Sequence, residues 1–196
     1  MFEAGIFLID KPAGITSFAV VSRLRRILKM KKIGHAGTLD PFATGLLVLC
    51  AGRPATRLIS RLMVGDKEYL ATLRLGVETT TLDTEGEITG CQVVGVLGAA
   101  KIETCLARYR GKQLQQPPAY SALKHQGKPL YYYARKGIEV VKEAREVEIN
   151  LLERTDGCSD IEGEDAHLGI RVVCSKGTYI RSLGADIGRD LGCGAH

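Results

Sequence analysis

Apolar residues along the chain follow two periods. Strict alternation or short unbroken apolar runs predict strands at Gly5–Asp10, Leu46–Cys50, Tyr69–Leu75, Val147–Leu152 and Leu168–Cys174. The helical period is clearest from Ser17 to Met30. There Val20, Val21, Leu24, Ile27 and Leu28 share one face, Arg23, Arg25, Arg26 and Lys29 take other positions, and Ser17 is the expected cap. Further helices are predicted over about Ala55–Met63, Lys101–Tyr109, Leu130–Lys136 (closed by Gly137) and Tyr179–Leu191. Glu87–Thr89 extends a sheet and Tyr120–Lys124 is a strand remnant. Gly34–Gly45 and Leu114–Pro118 read as loops. Strands and helices mix without a regular βαβ rhythm. The expected class is therefore α+β, with a mixed, largely antiparallel sheet flanked by helices.

The length of 196 residues suits one domain, or at most one domain and a small annex, and there is no repeat, low-complexity run or linker to divide it. No apolar run approaches the ~20 residues of a membrane span, and residues 1–10 carry Glu3 and Asp10 without a basic leader. The expectation is a soluble, cytoplasmic chain. Its six cysteines form no C-x-x-C pair, and only Cys193 has a histidine, His196, close by. That spacing gives no support to a zinc site, and the cysteines are expected to be reduced core residues.

Charge narrows the partners. The net charge of +5 is unevenly placed. Two stretches contain no acidic residue. Lys11–Leu39 holds Lys11, Arg23, Arg25, Arg26, Lys29, Lys31 and Lys32. Thr104–Ile138 holds Arg108, Arg110, Lys112, Lys124, Lys128, Arg135 and Lys136 among Tyr109, Tyr120 and Tyr131–Tyr133. Cations interleaved with stackable rings suit RNA or single-stranded nucleic acid. A solvated helix face with core tyrosines is the plainer alternative for either stretch. Three consecutive tyrosines cannot all face one way on a helix, so at least one of Tyr131–Tyr133 is expected in the core.

The segment with most chemical content is Gly34-His35-Ala36-Gly37-Thr38-Leu39-Asp40-Pro41-Phe42-Ala43-Thr44-Gly45. Its glycines and proline specify one loop shape and hold Asp40 out of helical geometry, just ahead of a buried strand. Spacing alone leaves two readings open: a turn aspartate bonding its own backbone, or a presented carboxylate. The phosphate-loop pattern is absent.

This segment resembles the signature of the TruB family of pseudouridine synthases, and the resemblance runs along nearly all of the chain. Gly5–Gly14 (GIFLIDKPAG) is similar to the family's N-terminal motif. Asp66-Lys67-Glu68-Tyr69, Leu75-Gly76 and Thr81–Gly86 (TLDTEG) are similar to its second motif. Gln116–Lys124 (QPPAYSALK) resembles the start of its RNA-gripping insertion, about residues 112–137. Ser175–Leu183 (SKGTYIRSL) resembles its third motif, and Leu191–His196 the stretch after it.

The resemblance implies a pseudouridine synthase fold and isomerisation of uridine at position 55, in the T loop of tRNA, without metal or cofactor. Asp40 would be the catalytic aspartate while the C1′–N1 bond breaks and the uracil rejoins through C5. Tyr69 would stack on the target base, Arg181 would pair with Asp40, and Tyr179 would line the uracil pocket. His35 would help to place flipped nucleotides. Lys11, Lys124, Lys128 and Arg135 would bind the RNA. The implied partner is the T-arm stem-loop of tRNA, met by a monomer. In the family the catalytic domain continues beyond the point matching His196, through a further strand and a pocket-lining leucine, and commonly into a PUA domain. Two readings follow: an active tRNA enzyme, or an RNA-binding or RNA-folding module that keeps the fold without turnover. A third, the catalytic subunit of a guide-RNA particle, is disfavoured by the insertion, which a stand-alone enzyme needs to grip the T arm.

Overall fold

The computed structural model describes residues 2–196. They form two compact units, one ending at Gly65 and the other spanning Asp66–His196, within the stretch read from sequence as one domain. No helix among the described residues is long and apolar enough to cross a membrane.

The first unit is a three-stranded antiparallel sheet covered by a helix. Its elements are β1 (Gly5–Lys11), α1 (Ser17–Leu28), β2 (Ile33–His35), β3 (Gly45–Ala51), α2 (Gly52–Thr56) and α3 (Ile59–Leu62). Strand β3 is central, pairing β1 from Gly5↔Ala51 to Lys11↔Gly45 and β2 from Ile33↔Ala51 to His35↔Leu49. The apolar face of α1 (Val20, Val21, Leu24) closes over Ile33, Leu47, Leu49 and Ala51, with Phe7, Ile9 and Leu39 at the margin. Full burial of each such aliphatic side chain contributes about 1.5–3 kcal/mol. Ile6, Leu8 and Leu46 are exposed, Leu8 at 70%.

Two local expectations are corrected in this unit. Thr16, not Ser17, caps α1 by accepting a hydrogen bond from the Ala19 amide; Ser17 is the first helical residue and its hydroxyl serves elsewhere. The predicted helix 55–63 is instead α2 and α3. Helix α2 starts three residues early because Pro54 is tolerated in a first turn, where amides have no helical acceptor.

The second unit comprises β4 (Lys67–Arg74), β5 (Val77–Thr79), β6 (Ile88–Cys91), β7 (Val94–Leu97), α4 (Ala99–Ala107), β8 (Gly111–Gln115), β9 (Lys124–His125), β10 (Lys128–Pro129), α5 (Leu130–Ala134), β11 (Arg145–Arg154), β12 (Ile161–Gly163), β13 (His167–Cys174) and α6 (Ile180–Leu191). Its main sheet runs β4-β13-β11-β8, all antiparallel. One core gathers Leu73, Ile149, Leu152, Leu168, Ile170 and Val172 from the sheet with Ile102 and Leu106 of α4 and Leu183, Ile187 and Leu191 of α6. The smaller pairs β5–β6 and β7–β12 lie outside that sheet.

Three expectations change here. Residues 111–115 form β8, so the start of the predicted insertion is an edge strand of the main sheet. None of Tyr131–Tyr133 is fully buried; Leu130 takes the core position of α5. Cys50, Cys105, Cys174 and Cys193 are buried, but Cys91 and Cys158 are exposed, and all six are free thiols.

Candidate active site

In the first unit, two clamps hold the loop that presents Asp40. The first is Lys11. It is the most buried charged residue of the chain, at 0% exposure, and its ammonium donates to the carbonyls of Pro12 (2.9 Å), Ile15 (2.8 Å) and Pro41 (3.1 Å). An ammonium removed from water is tolerated only when such acceptors replace hydration. The amide of Gly14 reaches the same Pro41 carbonyl at 2.8 Å.

The second clamp is Ser17. Its hydroxyl donates to the Leu39 carbonyl at 3.0 Å and accepts from the Leu39 amide at 2.9 Å. Leu39 and Pro41 are thus both pinned, and Asp40 lies between them. A turn closes below it, with Ala43 donating to the Asp40 carbonyl at 3.1 Å. The apolar run of β1 and the Lys11–Ser17 segment therefore act together as a cradle for one carboxylate.

Lys11, expected from the sequence among the RNA-binding cations, donates to three backbone carbonyls inside the fold. His35, at the end of β2 and not in the loop proper, donates from Nδ1 to the carbonyl of Gly37.

The second unit holds Tyr69, Tyr179 and Arg181. Tyr69 lies on β4, opposite Val172, half-buried against the core. Tyr179 caps α6, and the Gln115 side-chain amide brackets it: Gln115 Oε1 accepts from its amide at 2.8 Å and Nε2 donates to its carbonyl at 3.0 Å. Ser182 Oγ donates to the Gln116 carbonyl at 3.3 Å. The base of the insertion and the start of α6 are thereby tied together.

Arg181 is nearly enclosed. Its guanidinium makes an ion pair with Asp83 at 3.1 Å, with side-chain exposures of 11% and 6%. It also donates to the carbonyls of Thr81 and Tyr120, each at 2.8 Å. Asp83 in turn accepts from Thr81 Oγ1 (2.5 Å) and the Glu85 amide (2.9 Å). Its own amide and carbonyl are both bonded to Thr79 Oγ1. The turn that makes this possible puts Leu82 at φ +60°. It also brings Gly86 so close that a Cβ there would stand 2.7 Å from the Thr81 amide. Arg181 near the start of a helix opposes the helix dipole, and the Asp83 carboxylate offsets this. Asp83 was missed as a functional candidate, although it stands inside the TLDTEG motif.

The insertion carries Lys124, Lys128 and Arg135. Strands β9 and β10 form a hairpin around Gln126-Gly127, both at positive φ (+47° and +81°), which a two-residue primed turn requires. Lys128 donates to Tyr132 Oη at 3.1 Å and sits 4.3 Å from that ring's centre; Lys136 lies 4.5 Å from the same ring. Arg135 lies 5.4 Å from the Tyr131 ring. Hydrogen bonds from Lys136 and Lys128 pull the Tyr132 phenol down to about 8. Tyr133 folds inward instead, donating to the His125 carbonyl at 3.0 Å. Lys124 is exposed at the start of the hairpin.

Comparison with known proteins fits this arrangement. Residues 25–180 match the family described as TruB family pseudouridylate synthase (N terminal domain). The chain belongs to the TruB family. A tRNA pseudouridine synthase B of Desulfotalea psychrophila is 70% identical over the whole of this chain and 79% of that relative. Its counterpart from Chromobacterium violaceum is 53% identical over 98% of this chain. The chain spans 60% of that second relative's length. Among solved structures, a Cbf5-Nop10-Gar1 complex shares the fold at TM-score 0.70 and 32% identity, over 98% of this chain and 46% of that one. An H/ACA RNP bound to a substrate RNA containing 2'-deoxyuridine matches at TM-score 0.66 and 29% identity, over 98% of this chain and 44% of that one. The TruB chain described here is thus α+β with antiparallel sheets, in the pseudouridine synthase fold.

Proposed function

We propose that the chain isomerises uridine to pseudouridine in the T loop of tRNA, with Asp40 as the catalytic carboxylate. The observation that carries this is the double clamp. Lys11 and Gly14 on Pro41, and Ser17 on Leu39, fix the backbone on both sides of one aspartate, a degree of positioning that a simple turn residue does not need. Membership of a pseudouridylate synthase family, and relatives named for tRNA, point to the same substrate.

The reaction conserves atoms. The C1′–N1 bond breaks, the uracil turns, C5 bonds to C1′, and the C5 proton leaves as N1 regains one. The target base must first be flipped out of a stacked loop, which costs a few kcal/mol. Tyr69 would replace part of the lost stacking, at ~1–3 kcal/mol per base. Arg181, held by Asp83, would serve the same site, with Tyr179 at the uracil and His35 placing the flipped nucleotides. The insertion would grip the T arm through Lys124, Lys128 and Arg135.

The test is release of tritium from C5-labelled uridine in a T-arm RNA. Release by the parent chain and none by Asp40→Asn, with RNA binding retained in both, is the expected result. Equal RNA binding with no release by either chain would show an RNA-binding module instead.

A further inference from the structure

The start of α6 carries Tyr179 and Arg181 yet has no local means of fixing itself. Tyr179 takes the cap position with extended backbone (φ −99°, ψ 109°), no side chain caps the helix, and its first turn holds no acidic residue. What fixes it comes from residues 115–120. Gln115 Oε1 accepts from the Tyr179 amide at 2.8 Å while its Nε2 donates to the Tyr179 carbonyl at 3.0 Å. Ser182 Oγ donates to the Gln116 carbonyl at 3.3 Å, and Arg181 donates to the Tyr120 carbonyl at 2.8 Å. Between these contacts Pro117 and Pro118 are buried, and their rings lock φ, so the strip is stiff as well as bonded.

Gln115 differs in kind from the other contacts. A primary amide offers an acceptor and a donor in one plane, as a peptide group does. Bonded to both the N–H and the C=O of one residue, it fixes that residue as a ladder partner in a sheet would. The helix does not need the second bond, because the Tyr179 carbonyl already accepts from the Leu183 amide at 3.1 Å. Gln115 is also buried, where an amide is costly unless bonded. Other buried polar side chains among the described residues stand in comparable places. Lys11 and Ser17 hold the segment of Asp40, and Thr79 and Asp83 form the turn that receives Arg181.

We propose that Gln115 is a positioning residue for the reaction. Its side-chain amide sets the Tyr179 backbone and, through the first turn of α6, the placement of Tyr179 and Arg181 on the flipped uridine. The proposal rests on the enzyme reading above and deepens it. Gln115 touches no substrate in this scheme; its effect passes through the two residues it places. Loss of the bracket therefore falls on the rate and not on RNA binding.

The experiment measures kcat and KM for tritium release from T-arm RNA by the parent chain, Gln115→Met and Gln115→Glu, with thermal unfolding of each to check that the fold is kept. Gln115→Met keeps the length of the side chain and loses both bonds. Its kcat is expected to fall about ten- to hundredfold, with KM within about twofold of the parent. In Gln115→Glu a protonated carboxyl replaces the amide at both bonds, whereas a carboxylate faces the Tyr179 carbonyl with no proton to donate. Burial keeps such a carboxyl protonated to higher pH. The ratio of Gln115→Glu kcat to parent kcat is therefore expected to approach unity at about pH 5 and to fall towards that of Gln115→Met by about pH 8. A packing role alone moves no such ratio with pH. A folded Gln115→Met with kcat within twofold of the parent, or a flat ratio for Gln115→Glu, overturns the proposal and leaves the enzyme reading in place. A second arm, independent of activity, follows amide hydrogen exchange along α6. Faster exchange at Tyr179 in Gln115→Met, with the rest of α6 unchanged, is expected; an unchanged Tyr179 amide overturns the bracket whatever the activity. Faster exchange there in a chain whose parent releases no tritium would keep the tether but remove the enzyme reading, and with it the reaction that Gln115 serves.

Discussion

Ser17 holds Leu39 at both its amide and its carbonyl, through one hydroxyl that donates at 3.0 Å and accepts at 2.9 Å. The next residue is Asp40. Removing the hydroxyl in Ser17→Ala deletes two partly buried hydrogen bonds, worth together about 1–3 kcal/mol. The loop would then be free to shift on that side while Pro41 stays clamped. A displacement of about 1 Å at a reacting group costs roughly a hundredfold in rate. Ser17→Ala is expected to lower kcat ten- to hundredfold with the chain still folded, as read by tritium release and urea unfolding. A kcat within twofold of the parent would show that Lys11 and Gly14 suffice.

Lys11 separates a structural cation from an RNA-binding one. Its replacement by Met takes the ammonium from the Pro12 and Ile15 carbonyls and leaves Pro41 with the Gly14 amide alone, at about 1–3 kcal/mol for each buried group left unpaired. The expected result is a large drop in the urea midpoint, with the salt slope of RNA binding unchanged in whatever fraction folds. Lys11→Arg is not a rescue, because a planar fork cannot point at three carbonyls as an ammonium does. A slope reduced by about 1 would return Lys11 to the RNA-binding set.

Asp83 and Arg181 form a buried pair, so breaking it leaves an uncompensated charge. Asp83→Asn is expected to cost about 3–5 kcal/mol in urea unfolding. The damage should also reach the reaction through Arg181, seen as a lower kcat at little change in KM. Swapping Arg181 for Lys would not restore either, since one ammonium cannot serve the Thr81 carbonyl, the Tyr120 carbonyl and Asp83 in the guanidinium's geometry.

How far these features were legible depended on whether inward positions were apolar. Strands β1, β3, β4, β11 and β13 show alternation or a short apolar run, and all five are read from the sequence. Strand β8 was not, because its pattern is reversed: Leu114 is exposed while Gln113 and Gln115 point inward. Gln115 is buried to bracket Tyr179, a demand set by α6 and invisible in the local sequence. The internal partners of Lys11 are hidden in the sequence for the same reason. A lysine in an acid-free stretch looks like an RNA contact until its carbonyl partners are seen. Asp40 was legible through the motif around it, but the clamps that position it depend on a fold that brings residues 11–17 to residues 39–41.

Tyr132 makes the insertion sensitive to pH in a predictable direction. Lys136 and Lys128 lower its phenol to about 8, against an ordinary value near 10. A tyrosine with a lowered folded value is stabilising once ionised. That contribution is complete above the unfolded value and disappears as pH falls through 8. RNA binding has the opposite sign. Above pH 8 the phenolate adds a negative charge to a surface that meets phosphate and engages the two ammonium groups a phosphate would otherwise use. RNA affinity is therefore expected to be flat up to about pH 7.5 and to fall between pH 8 and 9. Tyr132→Phe keeps the ring for stacking and removes the proton, so its profile should stay flat over that range. The two profiles, measured at constant ionic strength, decide the matter: parallel curves would mean that Tyr132 stands apart from the bound RNA.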